Sequence, residues 1–271
     1  MLNSKFQLPL DKLFEKAKSE NRALLLAYIP AGFPTVEQCK KIISAMIEGG
    51  VDAVEIGFPY SDPVMDGPII QAAAVQALAN KVNMEDLFDI AKHTTEIGGT
   101  ALAMTYWNPI EKYGVDKFVT NAKSSGINAV ITPDLTVEES NSWIEMSNQN
   151  QLGRVYVVAP SSSDKRLELV SANCRGFVYA ASLMGVTGVR SELSQAAEKL
   201  VGGIKKYSTE PVCVGLGVSN AQQVAQIAKY ADGVIVGSAF IKVIQESKDE
   251  AEQISKVREL ALELSSGLKR S

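Results

Sequence analysis

Short runs of apolar and β-branched residues recur along the chain, separated by longer amphipathic stretches. The runs are continuously apolar rather than alternating, a pattern typical of parallel strands covered by helices. They predict strands at Leu24–Ile29, Val51–Ile56, Ala101–Tyr106, Ala129–Thr132, Val155–Val158, Gly176–Ala181, Val212–Val214 and Gly233–Val236. Eight strands alternating with helices within about 250 residues predict a closed (β/α)8 barrel. A doubly wound open sheet is the alternative, but no GxGxxG motif follows the first predicted strand.

Helix-start signals lie between the predicted strands. Capping-box patterns begin at Thr35, Thr136 and Ser219, and Asn83 is placed to cap a helix that begins at Met84. Residues 8–20 predict an extra helix before the first strand, and residues 249–268 a final one. The connection from 57 to 100 has room for a loop and two helices. No linker or low-complexity tract interrupts the chain, so we expect residues 1–271 to form a single barrel domain.

Composition narrows the class of protein. The chain has 271 residues, 46% of them hydrophobic, with a net charge of −4 and a pI near 5.3, which argues against nucleic-acid or anionic-membrane binding. The cysteines are three, without CxxC spacing, and predict free thiols in a reducing compartment. A single histidine makes a metal site improbable. The N-terminus lacks an apolar targeting segment and the apolar runs are too short to span a membrane, so we expect a cytoplasmic protein.

Glu55 is a carboxylate within an otherwise apolar strand. Alternation along the strand puts Glu55 on the face opposite Val54 and Ile56, whose bulk suits packing against helices. Glu55 is therefore predicted to point into the barrel near its C-terminal rim. Desolvation there would raise its pKa and suit it to proton transfer near neutral pH. A structural ion pair is the alternative, but none of the predicted strands carries a Lys or Arg.

The loop after this strand, FPYSDPVMDGP, carries two aspartates, and α/β barrels keep their chemistry in such loops. Asp66 precedes a helix predicted to start near Pro68, so a capping or Asx-turn role is the structural alternative to a catalytic one. Asp62 has an even stronger claim to a turn role. The alternation of side chains along a strand does not continue into a loop, so it does not show whether Asp62 or Asp66 is the catalytic aspartate.

Three later loops suggest how a substrate would be held. The predicted seventh and eighth strands run into GLGVSNAQQ and GSAF, where backbone N–H groups at a helix N-terminus favour a phosphate. The loop after the sixth strand, SLMGVTGVRSE, is interpreted as a lid, with a flexible connector as the alternative. Tyr28, Tyr106 and Tyr179 lie near strand ends, where they line a pocket for an aromatic group or simply pack in the core.

Several multi-residue motifs together carry a resemblance to a known family. They are YIPAGFP, VEIGFPYSDPVMDGPIIQ, MTYWNPI, PDLTVEES, GFVYAASLMGVTGVR, VGLGVSNAQQV and VIVGSAFIK. In this order, from about residue 24 to residue 244, the chain closely resembles the α subunits of tryptophan synthase. The resemblance implies a (β/α)8 lyase that cleaves indole-3-glycerol phosphate to indole and glyceraldehyde 3-phosphate. It also implies no cofactor in this chain and an α2β2 heterotetramer, with indole passed to a β subunit that carries pyridoxal phosphate.

The resemblance also implies roles for individual residues. Glu55 matches the general acid/base, and Asp66 matches the second catalytic carboxylate in preference to Asp62. Matches to substrate-binding positions are Tyr28, Tyr106, Tyr179, Thr187, Gly188, Gly217, Gly237 and Ser238. Thr187 and Gly188 belong to the closing loop, residues 183–191, where Leu183 stands in place of a residue that is often polar or basic in relatives.

Two rival functions remain open. Another phosphate-binding barrel, such as a sugar-phosphate isomerase or a decarboxylating synthase, would more naturally place a Lys, Cys or His at strand ends. A barrel retained as an allosteric partner with negligible activity of its own is the second rival. The intact pair of Glu55 and Asp66 argues against loss of catalysis but leaves dependence on a partner open.

Overall fold

The computed structural model describes residues 6–181, 190–215 and 217–270. Its strands form one all-parallel sheet in the order β5-β4-β3-β2-β1-β9-β8-β7-β6. Their bounds are β1 (Leu24–Pro30), β2 (Ala53–Gly57), β3 (Thr100–Met104), β4 (Ile127–Ile131), β5 (Gly153–Val155), β6 (Val157–Val158), β7 (Val178–Ala181), β8 (Val212–Gly215) and β9 (Gly233–Val236).

The two edge strands of this sheet, β5 and β6, are consecutive along the chain and are separated only by Tyr156. The carbonyl oxygen of Val155 accepts a hydrogen bond from Thr132 on one side, and that of Tyr156 accepts one from Tyr179 on the other. The sheet therefore closes on itself. Because β5 and β6 are two parts of one interrupted strand, the barrel has eight strand positions. The predicted (β/α)8 barrel is confirmed, although the predicted single strand 155–158 is interrupted at Tyr156.

Helices cover the outside of the barrel and one of its ends. Their bounds are α1 (Pro9–Ser19), α2 (Val36–Glu48), α3 (Pro68–Ala79), α4 (Met84–Glu96), α5 (Trp107–Tyr113), α6 (Val115–Ser124), α7 (Asn141–Gln149), α8 (Asp164–Asn173), α9 (Arg190–Ile204), α10 (Ala221–Ala228), α11 (Ser238–Glu246) and α12 (Glu250–Ser266). The predicted extra N-terminal helix and final helix are both present. The long connection after β2 holds a loop and two helices, as expected.

Two predicted caps are confirmed and two are wrong. The side chains of Thr35 and Asn83 accept hydrogen bonds from the first turns of α2 and α4. Thr136 instead precedes a short 3₁₀ turn, and its hydroxyl donates a hydrogen bond to the Glu139 carboxylate. The α-helix that follows begins only at Asn141. The cap of α10 is Asn220, one residue beyond Ser219, because the Asn220 side chain reaches the Gln223 N–H.

Alternation along the strands divides the core into two clusters. Val54 and Ile56 pack in the outer cluster, between the sheet and the helices, whereas Ala53 packs in the inner cluster that fills the barrel. Glu55 has the parity of Ala53 and therefore faces the interior, as predicted.

Helix α1 closes the N-terminal end of the barrel. Its buried residues Leu10, Phe14 and Ala17 join the inner cluster, and the Phe14 ring lies 6.4 Å from that of Phe177 at the start of β7. Access to the interior is therefore from the opposite, C-terminal end, where barrels of this type carry their active sites. In the part of the chain that the structure describes, no helix is long and apolar enough to cross a membrane.

Candidate active site

Glu55 is a fully buried carboxyl group on β2. Its exposed fraction is 0%, and among the described residues neither carboxylate oxygen has a hydrogen-bond partner. Burial raises the pKa of Glu55 from 4.5 to about 8, so the group is largely protonated at neutral pH. Tyr28 on β1 and Leu102 on β3 are its register partners on the two sides. An unsatisfied buried carboxyl is costly to the fold and points to chemistry.

Asp66 lies in the loop between β2 and α3. The N-cap of α3 is Gly67, without a side-chain capping hydrogen bond, so Asp66 does not serve as the helix cap. Its side chain is half-buried, and burial raises its pKa from 3.8 to about 6. Asp62, in contrast, is exposed and accepts a hydrogen bond from Ser61 at 2.6 Å. The structure thus separates two aspartates that strand parity could not rank.

The three tyrosines surround the two carboxyl groups. Burial raises the pKa of Tyr28 well above its usual value, and the nearby charges of Asp66 and Glu55 add to this. Burial likewise raises the pKa of Tyr179, with Glu55 next in effect. A third tyrosine, Tyr106, sits just beyond β3 and adds to the shift at Tyr28. Tyr28, Tyr106 and Tyr179 therefore lie near Glu55 and Asp66 at the open end of the barrel.

Glycines make room for these rings. A β-carbon at Gly57 would lie 2.6 Å from ring carbons of Tyr28, and one at Gly237 would lie 3.3 Å from the Tyr28 side chain. A β-carbon at Gly215 would meet the Tyr179 ring at 3.0 Å. Side chains at these positions would displace the tyrosines.

The loops predicted to bind phosphate are adjacent because β8 and β9 pair in parallel. Gly217 adopts a left-handed conformation with φ +57° in the loop after β8. Gly237 is the N-cap of α11, and Ser238 is its first residue. The α11 N-terminus thus offers free backbone N–H groups beside Tyr28. Thr187 and Gly188 lie outside the described residues, as does the rest of the lid up to residue 189, and residues 190 and 191 begin α9.

Other interior side chains were not identified from the sequence. Met104, Ile131 and Val157 join the inner cluster on β3, β4 and β6, with Leu102 and Ile235 also facing inward. The same strand parity that identified Glu55 could have found them. Contacts between loops, such as the hydrogen bond of Asn108 to the Tyr60 hydroxyl at 2.8 Å, left no signal in the spacing of residues.

The arrangement combines two carboxyl groups with opposite protonation states at neutral pH. Glu55, with a pKa of about 8, can give a proton, and Asp66, with a pKa of about 6, can stabilise a positive charge. Apolar and aromatic side chains surround them, and the N-terminus of α11 lies at the same end of the barrel, beside Tyr28. Such a site suits transfer of a proton to a bound substrate.

Comparison with known proteins yields the same family at the level of sequence. The family model described as tryptophan synthase alpha chain matches residues 14–269. The tryptophan synthase alpha chain of Thermobifida fusca is 46% identical over 263 residues, covering 96% of this chain and 97% of the relative. That of Streptomyces avermitilis is 49% identical over 254 residues, covering 93% of this chain and 92% of the relative.

Solved structures agree with the sequence comparison. A chain of Mycobacterium tuberculosis tryptophan synthase superposes with a TM-score of 0.91 at 43% identity, covering 98% of this chain and 100% of that one. The alpha chain from Legionella pneumophila has a TM-score of 0.87 at 30% identity, covering 97% of each chain. The barrel and the helices that surround it are therefore common to these proteins.

Proposed function

Because the chain belongs to the tryptophan synthase alpha chain family, a lyase subunit of tryptophan biosynthesis, we propose that it cleaves indole-3-glycerol phosphate by a retro-aldol reaction. The products are indole and glyceraldehyde 3-phosphate. The single observation that carries this proposal is the buried carboxyl of Glu55, which has no hydrogen-bond partner within the described part of the chain and faces the barrel interior beside the loop of Asp66.

Glu55 is proposed as the general acid and base. The bond between indole C3 and the glycerol chain is stable while the indole ring is aromatic. Protonation of C3 by Glu55 gives an iminium that accepts the bonding electrons when the bond breaks, and this restores the aromatic ring. The ionised Glu55 then takes the proton of the adjacent chain hydroxyl, which becomes the aldehyde. The proton balance of Glu55 is therefore restored at the end of the cycle.

Asp66 is proposed to stabilise the charge that develops on the indole ring. As C3 is protonated, positive charge grows on the ring nitrogen, and an ionised carboxylate that accepts its N–H hydrogen bond lowers the barrier. The pKa of Asp66 near 6 keeps it mostly ionised at neutral pH. The lower pKa of Asp66 relative to Glu55 supports this division of roles.

Substrate positioning is proposed to rest on the loops after β8 and β9. Gly217, Gly237 and Ser238 would bind the phosphate through backbone N–H groups and a hydroxyl, helped by the α11 N-terminus. Tyr28, Tyr106 and Tyr179 would enclose the indole ring. Binding the substrate at its phosphate and at its indole ring would orient it so that indole C3 lies next to the Glu55 carboxyl. Thr187 and Gly188 are proposed to complete the closed site.

We also propose that the product indole passes to a β subunit carrying pyridoxal phosphate, within an α2β2 complex in the cytoplasm. This chain itself would need no cofactor for the cleavage. Val64 and Met65, exposed by 78% and 45%, present an apolar surface on the loop that carries Asp66. Such a surface next to the reactive loop supports a partner that docks there.

The direct test is to mix the purified chain with indole-3-glycerol phosphate and to measure indole and glyceraldehyde 3-phosphate. The proposal expects both products in equal amounts, with a higher rate when the β subunit is added. Absence of both products from the chain with and without the β subunit would reject the proposed reaction. A full rate without any β subunit would reject dependence on the partner but leave the reaction standing.

A further inference from the structure

The hydroxyl of Tyr106 contacts the backbone of a different loop. Its oxygen accepts a hydrogen bond from the Met65 N–H at 3.0 Å, and Met65 directly precedes Asp66. A side chain that follows β3 therefore holds the chain between β2 and α3 one residue before the proposed catalytic aspartate.

Tyr106 is itself held in place from two sides. Its ring centroid lies 5.2 Å from that of Tyr60, whose hydroxyl accepts a hydrogen bond from Asn108 at 2.8 Å. The Asp134 carboxylate, beyond β4, accepts the N–H of Trp107, the next residue, at 2.9 Å and 3.1 Å. Three successive loops at the open end of the barrel are thus tied to one another through the neighbourhood of Tyr106.

The loop that carries Asp66 has few other attachments. Its ends are held by the hydrogen bond from Phe58 N–H to the Met104 carbonyl at 2.8 Å and by the Gln71 amide on the Asp66 carbonyl at 2.9 Å. Within residues 6–181, 190–215 and 217–270, the backbone N–H groups of residues 59–65 reach a side chain outside their loop only at Tyr106. Loss of this bond would therefore loosen the backbone directly before Asp66, while the Tyr60 side chain keeps its contacts with Tyr106 and Asn108.

We propose that Tyr106 is a positioning residue for catalysis, whose hydroxyl fixes the Met65 backbone and so places the Asp66 carboxylate against the substrate ring. This inference rests on the proposed function, since it deepens the role of Asp66. Burial raises the pKa of Tyr106 to about 12, so its hydroxyl stays neutral throughout the range in which the site works. The aromatic ring can still line the pocket, because the ring and the hydroxyl have separate contacts.

The Tyr106→Phe variant removes the hydroxyl and keeps the ring against Tyr60. We expect kcat to fall by about 10- to 100-fold, because a displacement of about 1 Å at a reacting group has effects of this size. KM should change by less than about threefold, since the ring and the phosphate contacts remain. The matched control is Tyr113→Phe, which loses hydrogen bonds with Asn121 on α6 and Glu85 on α4 at 2.7 and 3.1 Å, outside the barrel, and should keep wild-type kcat.

A double-mutant comparison separates positioning from simple lining of the pocket. If Tyr106 acts through Asp66, then Tyr106→Phe should reduce kcat by less than about threefold in the Asp66→Asn background. If the loss of kcat in the double variant equals the product of the losses in the two single variants, Tyr106 acts independently of Asp66. That result, or a wild-type kcat for Tyr106→Phe, would overturn the inference.

Amide hydrogen exchange tests the contact without any assay of activity. The Met65 N–H should exchange slowly in the wild type and at least about tenfold faster in Tyr106→Phe, with α3 amides unchanged. Equal Met65 exchange in both proteins would overturn the inference. Inactivity of the wild type on indole-3-glycerol phosphate would instead reject the proposed function, and the exchange result would show whether the loop attachment exists.

Discussion

Tyr28 and Glu55 are register partners on neighbouring parallel strands, and both lie inside the barrel near its open end. The Tyr28 ring passes over Gly57 and so covers the end of the strand that carries Glu55. Burial by such neighbours is the cause of the raised pKa of Glu55. The relationship accounts for a carboxylic acid that keeps its proton at neutral pH.

The pH dependence of catalysis should show two limbs. The reactive state needs ionised Asp66 and protonated Glu55, whose pKa values are about 6 and about 8. In the free enzyme, kcat/KM should therefore rise as pH increases through about 6 and fall as it passes about 8. Steady-state rates between pH 5 and 9.5 measure this profile.

The Asp66→Asn variant provides the control for the acidic limb. Its residual activity should lose the rise near pH 6 and keep the fall near pH 8. Persistence of the acidic limb in this variant would assign that limb to another group.

The stability of the folded state should depend on pH through Glu55. Its pKa is raised on folding from 4.5 to about 8, so the unfolded chain ionises first as pH increases. Stability is therefore lost progressively between these values, by up to about 5 kcal/mol. The difference in free energy of unfolding between the neutral Glu55→Gln variant and the wild type should shift in favour of the variant as pH rises from 4.5 to 8. Urea unfolding of both proteins at pH 5 and pH 8.5 measures the difference, and an equal gap at both pH values would contradict a buried neutral acid.

The two loop aspartates should differ sharply in their effect on activity. Asp66→Asn should lower kcat by about 10²- to 10³-fold, because the amide cannot stabilise a developing positive charge as a carboxylate does. Asp62→Asn should change kcat by less than about twofold, since Asp62 is exposed and its carboxylate accepts a hydrogen bond from the neighbouring Ser61. Indole release by the two variants measured side by side decides the assignment. A large loss in Asp62→Asn alone would mean that the catalytic aspartate has been assigned wrongly.

At the closed end of the barrel, Glu210 should matter for stability and not for catalysis. Its carboxylate accepts hydrogen bonds from Arg175 at 3.3 Å and from the Gly176 N–H at 3.0 Å, and both charged side chains are buried. Glu210→Gln should reduce the free energy of unfolding by about 1 to 2 kcal/mol, because it removes one of the two carboxylates that face the buried Arg175 and leaves that of Asp11 in place. Urea unfolding measures the loss, with the exposed Glu259→Gln as control. A large loss of kcat in Glu210→Gln would contradict the separation of the two ends.

The barrel and the direction of Glu55 could be predicted from the sequence because both rest on strand periodicity. Continuous apolar runs indicate buried parallel strands, and a period of two residues places Glu55 opposite Val54 and Ile56. The same rule would have identified Met104 and Ile131 as interior. The break at Tyr156 could not be predicted, because it arises where the sheet closes and no local residue type marks it.

Contacts between loops could not be predicted from the sequence. A loop has no period, so Asp62 and Asp66 differ only once the fold buries one of them. The bond between Tyr106 and the Met65 N–H joins residues 41 positions apart in sequence. Barrel topology makes neighbouring loops adjacent, but the atoms that meet are decided by the packed structure.

The most direct test of this account is indole release from indole-3-glycerol phosphate by the Glu55→Gln variant. The side chain keeps its shape but can neither give nor take the proton, so the rate should fall by at least about 10²- to 10⁴-fold. An unreactive analogue with the indole ring and the phosphate should still bind, which shows that the site remains intact. Turnover close to that of the wild type would contradict the central role of Glu55.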